Sequence, residues 1–508
     1  MWLISVALFI ATVWLLLHFA KIYSGRKLNY WKKQGFPILE ETISGWDVFT
    51  GKGNVSDSDL EYYKELERRK ESYGVVMELG SPIIILRDLD IARDIFIKDF
   101  DNFTDRRAFA DDKLFKNGLF GLDGQPWKNM RTFLSPTFTS GRIRQMFSHF
   151  EKSANNLTGF IKTKKISATA PPHFDLPLVD AMRKYSMQVI TSAAFGLNVN
   201  SFHENDKIVP MAERIFIISV SAKIKIAICQ KLPKLAKLLN LKVFDPEPTN
   251  FFWGLISSSL KTRQESGVKG NDFVQILVDA MNDKSGDKKS NIKWSDDVAI
   301  PQAFAFIAAG FDTIANNLSV ACYVLATHAD IQEELYREVE KAMPNCDDSI
   351  SYEGINELEY LDMFLSEVLR RHPAVARLDR ICTKDYMLPG NGGKPRIIPK
   401  GTVVALPTDA FHKDEQYFPN PYKFDPTRFN KENKAKRNTY AYMPFGIGPR
   451  SCIGMRFALV ETKVALAYIV RNFVIRPAQG TPVPEKMEKD IVGYKVSSDV
   501  KLKFIPRE

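Results

Sequence analysis

At 508 residues, with 45% hydrophobic and 26% charged residues, the chain is long enough for several domains, yet no Pro/Gly/Ser-rich linker or repeat divides it. Five cysteines (Cys229, Cys322, Cys346, Cys382 and Cys452), odd in number and without a CxxC pair, exclude a disulfide framework and a cysteine zinc site. The net charge of +10 sits on dispersed lysines and arginines without aromatic interleaving, which argues against nucleic acid and for an anionic membrane surface or an acidic redox partner.

Residues 2–20 contain no Asp, Glu, Lys or Arg, and at about 1.5 Å per helical residue they match the hydrocarbon thickness of a bilayer. No basic segment precedes this long apolar run, so a retained anchor is favoured over a cleaved signal. Lys21, Arg26, Lys27, Lys32 and Lys33 follow at once, and the positive-inside rule then places the N-terminus in the lumen and the rest in the cytosol. The expected division is a membrane anchor at 1–22, a basic linker at 23–45 and a cytosolic domain at 46–508.

Apolar residues at 75–79 and 83–86 flank Gly80-Ser81-Pro82 and predict a β-hairpin. Trp127 and Arg131 lie one helical turn apart, and their indole N–H and guanidinium suit a carboxylate on one side of a helix. The lysine- and serine-bearing stretches 164–173 and 282–293 read as solvated loops. The apolar, lysine-dotted run 224–243 fits two readings equally, a segment dipping into a membrane or a pair of amphipathic helices packed on the core.

The longest periodic segment begins at Ser295-Asp296-Asp297 and runs to about His328, a helix long enough to cross the domain. Asp312, Asn316 and Asn317 in its middle oppose a membrane span and favour a buried helix that lines a cavity. Within it, Ala309-Gly310-Phe311-Asp312-Thr313 combines small residues with a carboxylate and a hydroxyl, which fits a proton relay beside a ligand, although on these residues alone close helix packing is the commoner meaning. Ile331, Leu335, Val339 and Met343 recur every four residues and predict an amphipathic surface helix. Glu367 and Arg370 can pair one turn apart on another helix. The segments 396–398 and 402–406 around Pro399-Lys400-Gly401 predict a second hairpin, so the expected fold is mainly α with small β-sheets.

The final motif runs from Pro444 through Phe445, Gly446, Gly448, Arg450 and Cys452 to Gly454, just ahead of an apolar helix. A helix N-terminus favours a sulfur anion, and the glycines allow something flat to approach the backbone. One sulfur cannot complete a zinc site but is enough as a haem axial ligand; the bland alternative is a small buried cysteine in a core helix.

FxxGxRxCxG, with AGxDT, ExxR and WxxxR upstream in order, resembles the haem-binding signature and companion motifs of the cytochrome P450 superfamily. Leu134-Ser135-Pro136-Thr137-Phe138-Thr139-Ser140-Gly141 and Tyr30-Trp31-Lys32-Lys33 are similar to microsomal members of clan 3, which includes vertebrate drug-metabolising and arthropod detoxification enzymes. The sparse hinge Gly35-Phe36-Pro37 departs from the proline cluster of many microsomal relatives, and Thr427 from the acid often found before Arg428.

The resemblance implies the cytochrome P450 fold with haem b (iron-protoporphyrin IX). Cys452 would be the axial ligand of the iron, with Phe445 and Gly454 around it, and Trp127, Arg131, Arg450, Arg380 and Arg106 would hold the propionates. Thr313 and Asp312 would handle protons, while Glu367, Arg370 and Arg428 would form a buried structural ion triad. Phe109, Phe120, Ala305, Ala308, Ala309, Ala374 and Val375 would line the substrate pocket, with 215–239 nearby.

It further implies a monooxygenase of the endoplasmic reticulum membrane, drawing NADPH electrons through cytochrome P450 reductase, with cytochrome b5 as an optional second donor. The substrate class would be lipophilic, from xenobiotic or lipid/steroid metabolism. Lys128, Arg142, Arg144, Lys434, Lys436, Arg437 and Lys463 would face the acidic reductase. The competing readings are a haem-thiolate protein that rearranges a peroxide without reductase, which an intact Asp312-Thr313 pair disfavours, and a haem carrier without turnover.

Overall fold

Apolar side chains spaced three and four residues apart build the larger core, in which four long helices meet. The computed structural model describes residues 25–507 apart from 43–46, 48–52, 79, 108–111, 165–171, 198, 217–218, 268, 283–291, 346–347, 390–394 and 490–492. The anchor expected at 1–22 lies outside the described residues, as does Phe109.

The helices that frame the site are α1 (Val55–Arg68), α2 (Gly124–Leu134), α3 (Ser140–Lys162), α4 (Leu178–Phe195), α5 (Asp296–Thr327), α6 (Glu359–Arg371) and α7 (Met455–Asn472). Helix α5 begins where expected. Ser295 precedes it in an extended conformation, and Asp296 and Asp297 place negative charge against the free N–H groups of its first turn. Among the described helices it alone is long and apolar enough to cross a membrane, yet 67% of its most apolar window is packed inside the protein, so it is a core helix. Gly310 faces α4: a Cβ there would stand 3.1 Å from the Ile190 side chain. The Ser186 hydroxyl on α4 also donates to the Phe311 carbonyl at 2.8 Å. The expected surface helix forms at Ala329–Ala342, with Ile331, Leu335 and Val339 buried.

The strands are few and short: β1 (Tyr73–Glu78), β2 (Ser81–Leu86), β3 (Phe174–Pro177), β4 (Leu378–Ile381), β5 (Tyr386–Leu388), β6 (Arg396–Ile398), β7 (Val403–Leu406), β8 (Phe473–Pro477), β9 (Glu488–Lys489), β10 (Tyr494–Lys495) and β11 (Lys501–Pro506). β1 and β2 form the first expected hairpin, with Gly80 in the left-handed region at φ 72°.

The second expected hairpin is wrong. β6 pairs with β5, and β7 lies parallel to β2 and antiparallel to β4, giving the order β1-β2-β7-β4. Pro399-Lys400-Gly401 does turn the chain, but Val404, Ala405 and Leu406 are fully buried and need a neighbour on both edges, which the short β6 cannot supply. The turn hands the chain from a small ribbon to the main sheet, whose inner face carries a second core with Phe96, Phe103 and Phe411.

The two cores are joined by the ion triad. Glu367 and Arg370 are fully buried and bonded at 2.7 and 2.8 Å, and Arg428 brings its Nε to 3.5 Å from the same carboxylate. Arg370 also donates to the carbonyls of His412 and Pro421 at 2.6 and 2.7 Å, and Glu367 accepts the Asp425 N–H at 3.0 Å. The triad thus ties α6 to the irregular segment 412–428. Removing the carboxylate leaves two guanidiniums buried without a counter-charge. Glu367→Ala is therefore expected to lose about 3–5 kcal/mol of stability. Soluble yield and thermal unfolding test this, and a variant as stable as the parent contradicts the structural role.

Candidate active site

The motif ahead of α7 is a closed loop. The Cys452 N–H donates to the Phe445 carbonyl at 2.8 Å, and the Ser451 N–H to the Gly448 carbonyl at 2.9 Å. Gly446 and Gly448 hold φ of +77° and +75°, a region that favours glycine. At Gly448 space is decisive as well, since a Cβ would lie 2.0 Å from the Phe96 carbonyl oxygen. Gly454 is different: its φ is −90°, and a Cβ would meet only the Phe138 ring at 3.5 Å, an ordinary contact.

Cys452 lies two residues before the Gly454 cap of α7, and its side chain is accessible although protein surrounds it on most sides, as for a group that faces an interior cleft. Burial pushes its thiol up; the Gly454 N–H and the guanidiniums of Arg131 and Arg106 pull it down and do not fully offset that. Desolvation thus opposes the thiolate that the helix terminus is expected to favour. A metal cation on sulfur would reverse the balance.

Around the loop stand the expected arginines. Arg450 packs its guanidinium 4.3 Å above the Trp127 ring and donates to the carbonyls of Thr104 and Leu122 at 2.9 and 2.6 Å. Arg106 donates to the Arg450 carbonyl at 3.0 Å, and its guanidinium lies 4.7 Å from the Phe120 ring. Arg380 is fully buried, bonds the Asp379 carbonyl at 2.6 Å and lies over Phe96.

Burial, then mutual repulsion, lowers the affinity of these groups for their protons: Arg450 falls to about 9, and Arg380 and Arg106 are also depressed. The Arg380 Nε and one terminal nitrogen of Arg450 are buried without a hydrogen-bond partner. Such a cluster, with orphaned donors, fits a ligand that brings two carboxylates. The residues present therefore suit a haem.

Beyond its acidic first turn, the exposed positions of α5 are Ala309 and Thr313, with Ala305 and Ala308 half-buried. Ala305, Ala309 and Thr313 follow one another at intervals of four, so they form one stripe. The Thr313 hydroxyl donates to the Ala309 carbonyl at 2.6 Å. Asp312 is buried beside the stripe with both oxygens engaged, one by Arg183 at 2.9 Å and the other by Lys495 at 3.2 Å. Glu213 extends the set through Arg183 at 3.2 Å. Gly310, by contrast, serves helix packing and not the open side.

Of the other expected lining residues, Phe120 is 60% exposed against Arg106, and Ala374 and Val375 are half-buried. The run 224–243 forms the helices Val220–Lys231 and Pro233–Leu238, with Ile224, Leu232, Leu235, Leu238 and Leu239 exposed and Cys229, Ala236 and Val243 buried in a small satellite cluster. A cavity of about 250 Å³ lies beside the first of these helices, lined by Ala222, Ile226, Val243 and Phe244. Another cleft, of about 990 Å³, is an open polar groove along Arg87, Tyr417, Arg428 and Arg437, and Cys452 does not line it.

Two of the basic residues expected to face a partner do not. Lys463 is buried and paired with Asp362 at 2.9 Å, and Arg437 is wedged between the rings of Phe418 and Phe429. The resemblance placed them on a surface that tertiary packing covers. Four residues were missed: Arg183, Lys495 and Glu213, which fix Asp312, and Phe96, whose carbonyl demands Gly448. Each acts across a long sequence separation with no local motif to mark it.

Comparison with known proteins agrees with this geometry. The cytochrome P450 family model matches residues 49–504. The chain is 36% identical to cytochrome P450 3A2 of Rattus norvegicus over 485 residues, 94% of this chain and 92% of that protein. It is 34% identical to cytochrome P450 3A41 of Mus musculus, covering 96% and 94%, and 33% identical to cytochrome P450 6j1 of Blattella germanica, covering 91% and 90%.

The two loop glycines separate conformation from space. Gly446→Ala meets no atom nearer than 3.7 Å and is expected to cost about 1–2 kcal/mol of left-handed strain. Gly448→Ala adds the collision with Phe96 and is expected to lower the melting temperature several degrees further. Equal melting temperatures for the two variants would refute the close approach.

Proposed function

The chain belongs to the cytochrome P450 family and is a cytochrome P450 monooxygenase; on that premise we propose a membrane-bound haem-thiolate enzyme that inserts one atom of O2 into a lipophilic substrate. One observation carries the reading. Of the four described cysteines, Cys229, Cys322 and Cys382 are buried, and Cys452 alone is accessible, in the glycine loop at the head of α7.

In this reading Cys452 Sγ would be the iron ligand, and the Gly454 N–H would moderate the charge on sulfur. Arg106, Arg131, Arg380, Arg450 and the Trp127 indole would hold the propionates, and the Phe445 carbonyl closes the loop on the Cys452 N–H. The bound haem supplies the reduction of dioxygen and the oxygen transfer.

The protein's part is placement and proton handling. Ala305 and Ala309 leave room for the substrate. Thr313 carries a proton at Oγ1, parked on the Ala309 carbonyl 2.6 Å away. Asp312 can accept or pass a proton only when Arg183 or Lys495 releases one of its oxygens, so the ion pairs gate its share in the relay.

Electrons would come from NADPH through cytochrome P450 reductase, with cytochrome b5 as an optional second donor. Exposed lysines such as Lys128 and Lys436 pair at the surface with Asp101 and Glu432, contacts weak enough to be exchanged for a partner's acids. The exposed leucines of Pro233–Leu238, with Lys234 and Lys237 among them, suit a lipid surface and entry of apolar substrates, consistent with residence in the endoplasmic reticulum membrane and a cytosolic catalytic domain. Xenobiotic or lipid/steroid oxidation is the proposed metabolic role.

The reduced, CO-bound difference spectrum of membranes expressing the chain is the test. A Soret band far to the red of histidine-ligated haem is expected, lost in Cys452→Ser; a red-shifted band that survives the substitution contradicts the assignment. Thr313→Ala is expected to keep that band while at least half of the NADPH consumed no longer yields product, and unchanged coupling would remove the hydroxyl from the relay.

A further inference from the structure

The open groove of about 990 Å³ shares no lining residue with the Cys452 loop or with the arginines around it, and it runs between the end of β2 and the irregular segment 416–438. Lysines and arginines outnumber carboxylates along its walls. The acids that are there are committed elsewhere. Asp88 accepts the N–H groups of Asp90 and Ile91 at 2.8 and 3.1 Å and the Ser72 hydroxyl at 3.2 Å. Asp90 pairs with Arg93 at 3.0 Å, and Asp425 accepts the Thr427 N–H and hydroxyl at 3.0 and 2.6 Å.

The cations divide into two kinds. Arg428 faces Glu367 at 3.5 Å and Lys436 faces Glu432 at 2.6 Å. Among the described residues no carboxylate forms an ion pair with Arg87, Lys423 or Arg437, all of which line the groove. Arg437 gives one hydrogen bond, to the Arg428 carbonyl at 3.3 Å, and otherwise lies over the rings of Phe418 and Phe429; burial lowers its affinity for its proton.

Arg87 is the extreme case. Its side chain is half-buried, its Nε is removed from solvent, and none of its guanidinium nitrogens has a hydrogen-bond acceptor among the described residues. It stands 5.9 Å from the centre of the Tyr63 ring. A partly desolvated guanidinium without a counter-charge is costly, and its planar fork of donors matches the oxygens of a phosphate.

The walls that carry these cations are fixed in advance. Arg428, held by the ion triad, donates to the Asn420 carbonyl at 2.6 Å, and Asn420 itself takes φ 51°, which sets the turn that presents Lys423. Three unpaired cations on separate segments cannot all be met by one carboxylate, whereas several phosphate oxygens on one ligand can meet them in a cleft of this volume.

We propose that this groove is a second binding site, independent of the haem-thiolate reading, for an anion that carries more than one phosphate group. Arg87 is its principal contact, with Lys423 and Arg437 beside it. The chemistry is shared by soluble phosphate esters and by the headgroup of a phosphorylated lipid.

The test uses the full-length chain in phosphatidylcholine nanodiscs, titrated with radiolabelled pyrophosphate at constant ionic strength. Saturable binding is expected, weakened about tenfold in Arg87→Gln and about threefold in Lys423→Gln. Lys261→Gln removes an exposed charge outside the groove and is expected to leave the affinity unchanged. Should Arg87→Gln not accumulate, Arg87→Lys replaces it, keeping the charge and losing the fork, with a severalfold loss expected.

Discs doped with a phosphoinositide distinguish the source: competition with pyrophosphate in the parent and not in the Arg87 variant identifies a lipid headgroup, and saturable pyrophosphate binding without competition identifies a soluble ester. Binding that sodium chloride of equal ionic strength abolishes, or equal affinity in the parent and both groove variants, overturns the site. The CO difference spectrum is expected to be the same in the parent and the groove variants, which separates failure here from failure of the haem assignment.

Discussion

Helix α5 carries an accessible stripe through the middle of a hydrophobic core, and the rest of the site depends on how its other faces are held. Glycine at 310 lets α4 approach to the Ile190 side chain. On a second face Phe306 stacks on Phe273 with centroids 3.8 Å apart and lies against Phe138, the ring that also borders Gly454 at the head of α7. On a third, Asp312 and Asn316 hold charged and polar partners. An exposed alanine and threonine among aromatic neighbours would otherwise be filled by the nearest side chain, because protein interiors close over voids.

Electrostatics impose the second constraint. Arg106, Arg380 and Arg450 repel one another while each is removed from water, and Arg131 adds to the positive field at Cys452. Backbone carbonyls of Thr104, Leu122, Asp379 and Arg450 itself offset part of that cost, and Asp123, 3.3 Å from Arg450, and Asp379 supply only part of the counter-charge. The cluster is therefore a site prepared for anions, at the side of the molecule where the thiol points. The Glu367 triad is the opposite case: its carboxylate neutralises its arginines internally, so it holds α6 to the segment 412–428 and has no capacity left for a ligand.

Much of this was readable in one dimension. The β1–β2 hairpin, the start of α5 at Ser295 and the surface helix Ala329–Ala342 follow from turn residues, acidic first turns and four-residue spacing, all local signals. The second hairpin failed because β-pairing is a competition among all strands in reach. A good turn at 399–401 says only that the chain reverses, and not which edge β7 joins. Lys463 and Arg437 failed for a related reason: their segments look solvated until Asp362, Phe418 and Phe429 arrive from elsewhere.

The sequence by itself determined the chemistry-bearing residues and their order. Cys452 within its glycines, the alanine–threonine stripe, the ExxR pair and the arginines are each set by residue type and short spacing, because loop conformation and helical phase are local properties. Only the tertiary structure decided what those residues meet. That Asp312 is bound by Arg183 and Lys495, that Gly448 must be glycine because of Phe96, that Gly310 belongs to packing and that Asn316 grips β10 are contacts between segments about 120 to 350 residues apart. No short spacing encodes such contacts, since they exist only after the helices and sheets have docked.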